Sequence, residues 1–284
     1  MLTRLSNSWE LVKASAAVLR ADKELVVYPI VSTIGVLLVT ASFALPMVFA
    51  GVLDSLMSGK SGNINIISFI IAFLFYIAQY FVIIFANAAL VSAAMIRLRG
   101  GDPTVADGFR IAFNHLGPIF GYALIASTVG IILNSLSRRS NTLGRIAVSL
   151  IGLAWNLATF LVVPVLIAEE VGPFEAVKRS AQLLKRTWGE QIVGNLSIGG
   201  IFGLLTFGVI VLIVAPSLYL MFTINNPAIL VVMAILLVAS LVLIGLASST
   251  LSGIYAAAVY CFAAEGNTGG YFRPELVQDA FRRK

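Results

Sequence analysis

Side chains able to do acid–base, nucleophilic or metal chemistry are scarce in this sequence. The 284 residues include a single histidine, His115, and a single cysteine, Cys261. His115 has no cysteine or carboxylate at ligand spacing, and one cysteine can build neither a disulfide nor a cysteine-based metal site within the chain. The only adjacent carboxylates, Glu169 and Glu170, follow a long apolar run, which favours a solvated helix end over a catalytic pair. We therefore expect no enzyme activity, no metal site and no cofactor.

Uncharged amides are the next candidates, because they lie inside apolar segments. The predicted polar contacts within these segments are made by Gln79, Asn87, Asn156 and Asn195. Gln79 and Asn87 are eight residues apart, which is about 80° around an α-helix, so both could face one neighbouring helix. Two interpretations stay open: hydrogen bonds between helices, or the lining of a path for an uncharged substrate.

A basic segment after Gly172-Pro173 offers a different chemistry, the binding of anions. Its candidate docking residues are Lys178, Arg179, Lys185, Arg186 and Trp188. The apolar stripe predicted for the same helix is Phe174, Val177, Ala181, Leu184 and Trp188. A helix with a cationic face and an apolar face suits the plane of the lipid headgroups. It either docks anionic lipid or a protein partner, or merely caps the structure beside it.

The elements that must position these residues are strongly apolar. Hydrophobic residues make up 59% of the chain and charged residues 11%. Six stretches contain no Asp, Glu, Lys, Arg or His: Val26–Val52, Ile64–Ile96, Leu116–Leu133, Ile146–Ala168, Ile192–Met221 and Ala228–Ala264. A helix needs about 20 apolar residues to cross a bilayer, and helices that are apolar all round are buried in lipid. The predicted fold class is an all-α, polytopic transmembrane helical bundle of six spans.

The loops between these spans differ in charge. Six spans put both termini on one side, where the loops carry 15 Lys and Arg residues against 4 on the other side. Because cytoplasmic loops are enriched in Lys and Arg, we predict that both termini are cytoplasmic. Arg138, Arg139 and Arg145 lie on the opposite side, against this rule. The net charge of +6 follows this asymmetry. Because the basic residues are dispersed among apolar segments, no nucleic-acid surface is expected.

An amphipathic helix is predicted before each pair of spans, so the chain reads as a threefold repeat. The units are approximately residues 1–96, 97–168 and 169–264, followed by a tail, 265–284, within a single integral membrane domain, 1–284. The first two apolar stripes are Leu2, Leu5, Trp9, Val12, Ala16 and Leu19, and then Val105, Phe109, Ala112 and Leu116. Small residues one turn apart predict close helix approach; they are Gly117 and Gly121, Gly199 and Gly203, and Gly245, Ser249 and Gly253. The sixth apolar run exceeds one crossing, so it either tilts or breaks near Gly245.

Three motifs carry a resemblance to a known family. They are Arg97–Thr104, Trp155–Phe160 and the segment from Gly172-Pro173 to Glu190. With them the chain resembles a family of bacterial six-span membrane proteins known as a domain of unknown function. It is more remotely similar to Yip-type proteins and to the membrane-anchor domain of some bacterial glycerophosphodiesterases, whose catalytic domain it lacks. The resemblance implies a location in the bacterial cytoplasmic (inner) membrane and supplies no catalytic or ligand residues.

Two functions from different classes fit these observations. The leading hypothesis is a non-enzymatic membrane scaffold whose cytoplasmic helices dock anionic lipid headgroups or a protein partner. The alternative is a transporter or exchanger of an uncharged or lipidic substrate. A cavity at mid-depth lined by Gln79, Asn87 and Asn156 favours transport, whereas a closed core of glycine, alanine and leucine favours the scaffold.

Overall fold

The chain forms a bundle of long helices, seen in a computed structural model. The structure describes residues 2–49, 66–188, 197–224, 227–266 and 270–272. Within these ranges the regular secondary structure is helical, with no strand. Six helical segments are long and apolar enough to cross a membrane. The predicted fold class, an all-α bundle of six spans, is confirmed.

The helices follow one another in the order that the sequence predicts. The long ones are α2 (Val27–Phe49), α3 (Ile66–Leu98), α5 (Leu116–Arg139), α9 (Ser197–Ile224) and α10 (Pro227–Tyr260). The fourth span is divided into α6 (Thr142–Ala158) and α7 (Val162–Ala168). The helices that precede the three pairs are α1 (Leu2–Ala21), α4 (Val105–Asn114) and α8 (Pro173–Trp188). The threefold repeat as a structural symmetry stays a prediction.

The break in the spans lies in the fourth and not in the sixth. Helix α10 runs α-helically through Gly245, and a π-helical turn, Cys261–Glu265, follows it directly. The fourth span leaves the α-helix at residues 159–161. Pro164 explains the position, because a proline ring clashes with the carbonyl four residues earlier and the residue offers no N–H. Here that carbonyl belongs to Phe160, within the break.

The buried core is concentrated at one end of the bundle. In α3, most side chains from Ile84 to Leu98 are buried, whereas most of those from Ile66 to Ile83 are partly or fully exposed. In α10, burial likewise begins at Thr250. The exposed part of α3 is about 27 Å long at 1.5 Å per residue, close to the roughly 30 Å hydrocarbon core of a bilayer. We call the buried end, which contains α1, α4, α7 and α8, the packed end.

Helix α4 is fixed to the packed end by its first turn. The Thr104 side chain accepts a hydrogen bond from the Asp107 N–H, and the Asp107 carboxylate accepts from the Thr104 N–H, a capping box. The hydrogen bonds from Thr104 hold the pKa of Asp107 below its usual value. The Val105 N–H donates to the Glu24 carboxylate at 3.2 Å, and the Tyr28 hydroxyl donates to the Val105 carbonyl at 3.3 Å. Glu24, just before α2, and Tyr28, at the start of α2, therefore position α4.

The first two predicted stripes agree only in part with the burial of these helices, because Ser15 and Val18 are buried in α1 outside its stripe and Leu116, in the second stripe, is 38% exposed. In α1, Val12 is buried and Ala16 and Leu19 are half-buried. In α4, Ala112 is buried, and Phe109 packs on the Tyr28 ring with centroids 5.1 Å apart. The side chains of Leu2, Leu5 and Trp9 lie outside the described residues.

Candidate functional site

The predicted docking residues of α8 do not all have the same surroundings. Lys178 and Lys185 are exposed, whereas Arg179 is half-buried and ion-paired. The side chains of Arg186 and Trp188 lie outside the described residues. An open pocket of about 360 Å³ separates the start of α8 from the end of α7. Its lining consists of Glu169, Val171, Phe174, Glu175, Lys178, Arg179 and Gln182. We call it the α8 pocket.

Glu169 orients the Arg179 guanidinium at the edge of the α8 pocket. The Arg179 Nε–H is 3.1 Å and 2.8 Å from the two carboxylate oxygens, and the Tyr260 hydroxyl donates to the same carboxylate at 3.2 Å. Both Nη groups of Arg179 are left without a hydrogen bond to a described residue. A planar guanidinium held on one edge can still donate two parallel hydrogen bonds from its other nitrogens to a carboxylate or phosphate.

The buried face of α8 is rotated from the predicted stripe by about one residue position. Ala176, Ser180, Leu183 and Leu184 are buried. Phe174, a member of the predicted stripe, is 77% exposed beside the α8 pocket. An apolar stripe that faces the acyl chains of a bilayer is exposed on the protein surface, so the role predicted for Phe174 stays a prediction. The small side chains of Ala176 and Ser180 let α8 pack closely against α7.

Ser180 completes the hydrogen bonding of the broken span. The Leu161 N–H donates to Ser180 Oγ at 3.0 Å, whereas the N–H groups of Phe160 and Val162 find backbone carbonyls. A buried backbone N–H without an acceptor is costly, so the break needs a partner at this position. Sequence reasoning missed Ser180, although Pro164 marks the break and Ser180 is a hydroxyl on the adjoining helix.

Ser180→Ala is expected to destabilise the protein by about 2 kcal/mol, because it leaves the buried Leu161 N–H without an acceptor. Denaturation in mixed micelles, followed by circular dichroism, measures the change in the free energy of unfolding. Ser92→Ala is the control, since the Ser92 hydroxyl donates to the Ala88 carbonyl of its own helix and its loss leaves no N–H unpaired. Equal effects of the two substitutions would contradict the role given to Ser180.

A second cavity, of about 330 Å³, lies where α2, α3 and α10 meet beside the break. Its lining consists of Pro29, Ser32, Ile83, Ile84, Ala86, Asn87, Leu90, Phe160, Ser249, Ser252, Gly253 and Ala256. We call it the Asn87 cavity. None of these residues is ionisable, so the cavity offers hydrogen bonds without charge. Ile83, at its edge, is 48% exposed.

The predicted amides do not converge on one site. The Gln79 side chain donates to Thr40 Oγ1 at 2.8 Å and to the Val36 carbonyl at 3.3 Å, linking α3 to α2. Asn156 is exposed on α6, and Asn195 lies outside the described residues. Asn87 alone of the described members lines the cavity. Gln79 therefore fits the interpretation of hydrogen bonds between helices. Asn87 instead lines a polar cavity.

His115 and Cys261 are the other residues that the sequence analysis considered for chemistry. His115 Nδ1 lies 2.8 Å from the Ile111 carbonyl, one helical turn back, and Cys261 is buried. Within the described ranges, no group of three His, Cys, Asp or Glu residues is arranged to hold a metal ion.

Beside the turn between α5 and α6, the Nε–H of Arg145, in the first turn of α6, donates to the Ser140 carbonyl at 3.3 Å.

Comparison with known proteins identifies the family. A family model described as a family of unknown function, DUF6159, matches residues 66–270. The chain belongs to the DUF6159 family. The predicted membership of a six-span family of unknown function is therefore confirmed, whereas the remoter likeness to Yip-type proteins is not. No curated protein and no solved structure matches the chain.

Proposed function

We propose that this multi-pass membrane protein is a non-enzymatic module that docks anionic lipid headgroups at its packed end through α8. The observation that carries the proposal is the Arg179 guanidinium beside the exposed Lys178, held by Glu169 with neither Nη group hydrogen-bonded to a described residue. Phosphate accepts two parallel hydrogen bonds from such a guanidinium. The exposed Phe174 ring adjoins the same pocket, where it would enter the acyl region as the phosphate binds.

The same proposal places the packed end on the cytoplasmic side of a bacterial inner membrane, with both termini in the cytoplasm. The Lys and Arg counts of the loops support this orientation. Contacts at the packed end also bring the first and last parts of the described chain together, because Arg97 pairs with Asp22 and Arg99 with Glu265. Anionic lipid in the cytoplasmic leaflet would then lie next to α8.

The headgroup selectivity of the protein tests this function. Spin-labelled phosphatidylglycerol and phosphatidylcholine are compared for immobilisation by the full chain in phosphatidylcholine vesicles. The double substitution Lys178→Gln and Lys185→Gln is expected to lower the preference for phosphatidylglycerol about thirtyfold, since each of the two basic residues near the surface contributes about 1 kcal/mol. Neither lysine makes a hydrogen bond to a described residue, so the fold should persist.

Arg138→Gln with Arg139→Gln is the matched control, because it removes two cations from the C-terminal end of α5, away from the packed end. In vesicles whose phosphatidylglycerol is confined to the leaflet facing the packed end, this control should keep the preference of the unmodified protein. Docking through α8 is refuted if the two double variants lose selectivity equally, or if neither loses any.

Passage or exchange of an uncharged or lipidic substrate is a second candidate, favoured by the uncharged polar lining of the Asn87 cavity. The cavity touches Phe160, in the broken span, and discontinuous helices are where transporters place binding sites. Liposomes containing the purified protein should then show lipid exchange between leaflets above that of empty liposomes. Equal rates with and without the protein would exclude this function.

A further inference from the structure

The polar groups of the Asn87 cavity are available to a ligand. The side chains of Asn87, Ser32, Ser249 and Ser252 make no hydrogen bond to a described residue. Hydroxyls close by on the same helices are satisfied by their own backbone. These are Thr33 with the Pro29 carbonyl, Ser92 with Ala88 and Thr250 with Leu246, at 2.7 to 2.8 Å. The unbonded groups of the cavity together offer both donors and acceptors.

The lining selects an uncharged ligand. The described lining residues include no cation to match a phosphate and no carboxylate to match an ammonium group. Moving an unpaired charge into an apolar site costs several kcal/mol, whereas hydroxyl, ester and amide groups can be satisfied by neutral partners. The cavity therefore fits the uncharged polar part of a molecule.

The size and the opening of the cavity indicate the rest of that molecule. At roughly 30 Å³ per water-sized group, a volume of about 330 Å³ holds on the order of ten non-hydrogen atoms. The glycerol and two ester carbonyls of a diacylglycerol are of that size. Acyl chains attached to them need a way into the bilayer, and the exposed Ile83 is part of the lining of the cavity.

The depth of the cavity agrees with this ligand. Asn87 lies just beyond the point where the exposed stretch of α3, Ile66–Ile83, gives way to its buried stretch. If the exposed stretch spans the hydrocarbon, Asn87 lies at the boundary of the hydrocarbon core. The ester groups of membrane lipids lie at that boundary. We propose that the Asn87 cavity binds the glycerol-ester backbone of an uncharged diacyl lipid, with its acyl chains leaving past Ile83.

Photolabelling of the full chain in phosphatidylcholine nanodiscs tests the proposal. The probe is a diacylglycerol with a diazirine near the carboxyl end of one acyl chain, and labelled peptides are identified by mass spectrometry. Labels are expected in α3 and α10, close to Asn87 and Ser252. Dioleoylglycerol should compete for labelling, and dioleoylphosphatidic acid should not. Equal competition by the phosphatidic acid would overturn the assignment to an uncharged lipid.

Substitutions locate the site. Asn87→Leu is expected to reduce labelling about tenfold, the effect of losing hydrogen bonds worth about 1.4 kcal/mol. Ser249→Ala with Ser252→Ala should act in the same direction and changes little volume, so it decides the outcome if Asn87→Leu does not fold. Asn156→Leu is the matched control, since Asn156 is exposed outside the cavity. Labelling that survives both cavity variants would refute the site.

This binding is independent of headgroup docking by α8. The double substitution Lys178→Gln and Lys185→Gln should leave diacylglycerol labelling unchanged, and Asn87→Leu should leave phosphatidylglycerol selectivity unchanged. Loss of both activities in either variant would contradict two separate sites. Binding also differs from passage across the membrane, because a lipid held in the cavity is labelled whether or not it moves to the other leaflet.

Discussion

Gly108→Ala is expected to destabilise the packed end by about 3 kcal/mol, although alanine is the better helix former. A Cβ at Gly108 would lie 2.2 Å from the Tyr28 hydroxyl and 2.6 Å from the Ala89 carbonyl oxygen. The tyrosine could rotate away, but the carbonyl is part of the α3 backbone and cannot. Helix α4 would therefore be pushed off α3, which strains the hydrogen bonds from Tyr28 and to Glu24 at its first turn.

Gly117→Ala is the control for this prediction. Gly117 lies in the first turn of α5. Apart from the neighbouring backbone of α5 itself, no atom of the described residues is within 4 Å of an added Cβ. That substitution should be neutral or stabilising by up to about 1 kcal/mol, the difference in helix propensity. Denaturation in mixed micelles measures the free energies of unfolding. If Gly108→Ala were as stable as Gly117→Ala, the close contact between α4 and α3 would not exist.

The glycines illustrate what spacing in a sequence cannot reveal. Small residues one turn apart predict close approach at Gly117, Gly121, Gly245 and Gly253. An added Cβ would be 2.9 Å from the Pro173 ring at Gly121 and 2.4 Å from Leu90 at Gly253, but would meet nothing within 4 Å at Gly117 and Gly245. Spacing identifies a strip of small residues, whereas close contact also requires an opposing helix. Only the fold supplies that helix.

The six spans, in contrast, could be read from the sequence alone. Charged side chains are expensive in hydrocarbon, so the absence of Asp, Glu, Lys, Arg and His marks each span directly. The order of helices follows from these gaps and from the helical spacing between them. Span ends were less certain, since the structure continues α3 to Leu98 and α5 to Arg139, where long basic side chains can reach the interface.

The local features of the candidate site depend on tertiary contacts and were harder to predict. A proline near a span end, such as Pro164, is compatible with either a continuous helix or a break. Which face of α8 is buried depends on Ser180, because its hydroxyl oxygen accepts the hydrogen bond from the Leu161 N–H. Helical periodicity placed Phe174 in the apolar stripe, but a helix at a lipid interface can expose an aromatic ring to the acyl chains as well as bury it.

The ion pair between Arg97 and Asp22 is the second feature whose loss should have a large effect. Arg97 Nη2 lies 3.5 Å from Asp22 Oδ2, and only 5% of the Asp22 side chain is exposed. The same guanidinium also pairs with Asp102, in the turn before α4. Arg97 thus ties the end of α1 to the connection between α3 and α4, at the junction of two predicted repeat units.

Arg97→Gln is expected to cost about 3 kcal/mol of stability, because removing one partner of a buried pair leaves the other charge uncompensated. Lys13→Gln is the control, since its pair with Glu10 is exposed and such pairs contribute less than about 1 kcal/mol. Adding Asp22→Asn to Arg97→Gln removes the stranded charge and should restore most of the loss in the free energy of unfolding. A double variant no more stable than Arg97→Gln alone would mean that Arg97 stabilises the packed end through Asp102 or through packing, and not through the buried carboxylate.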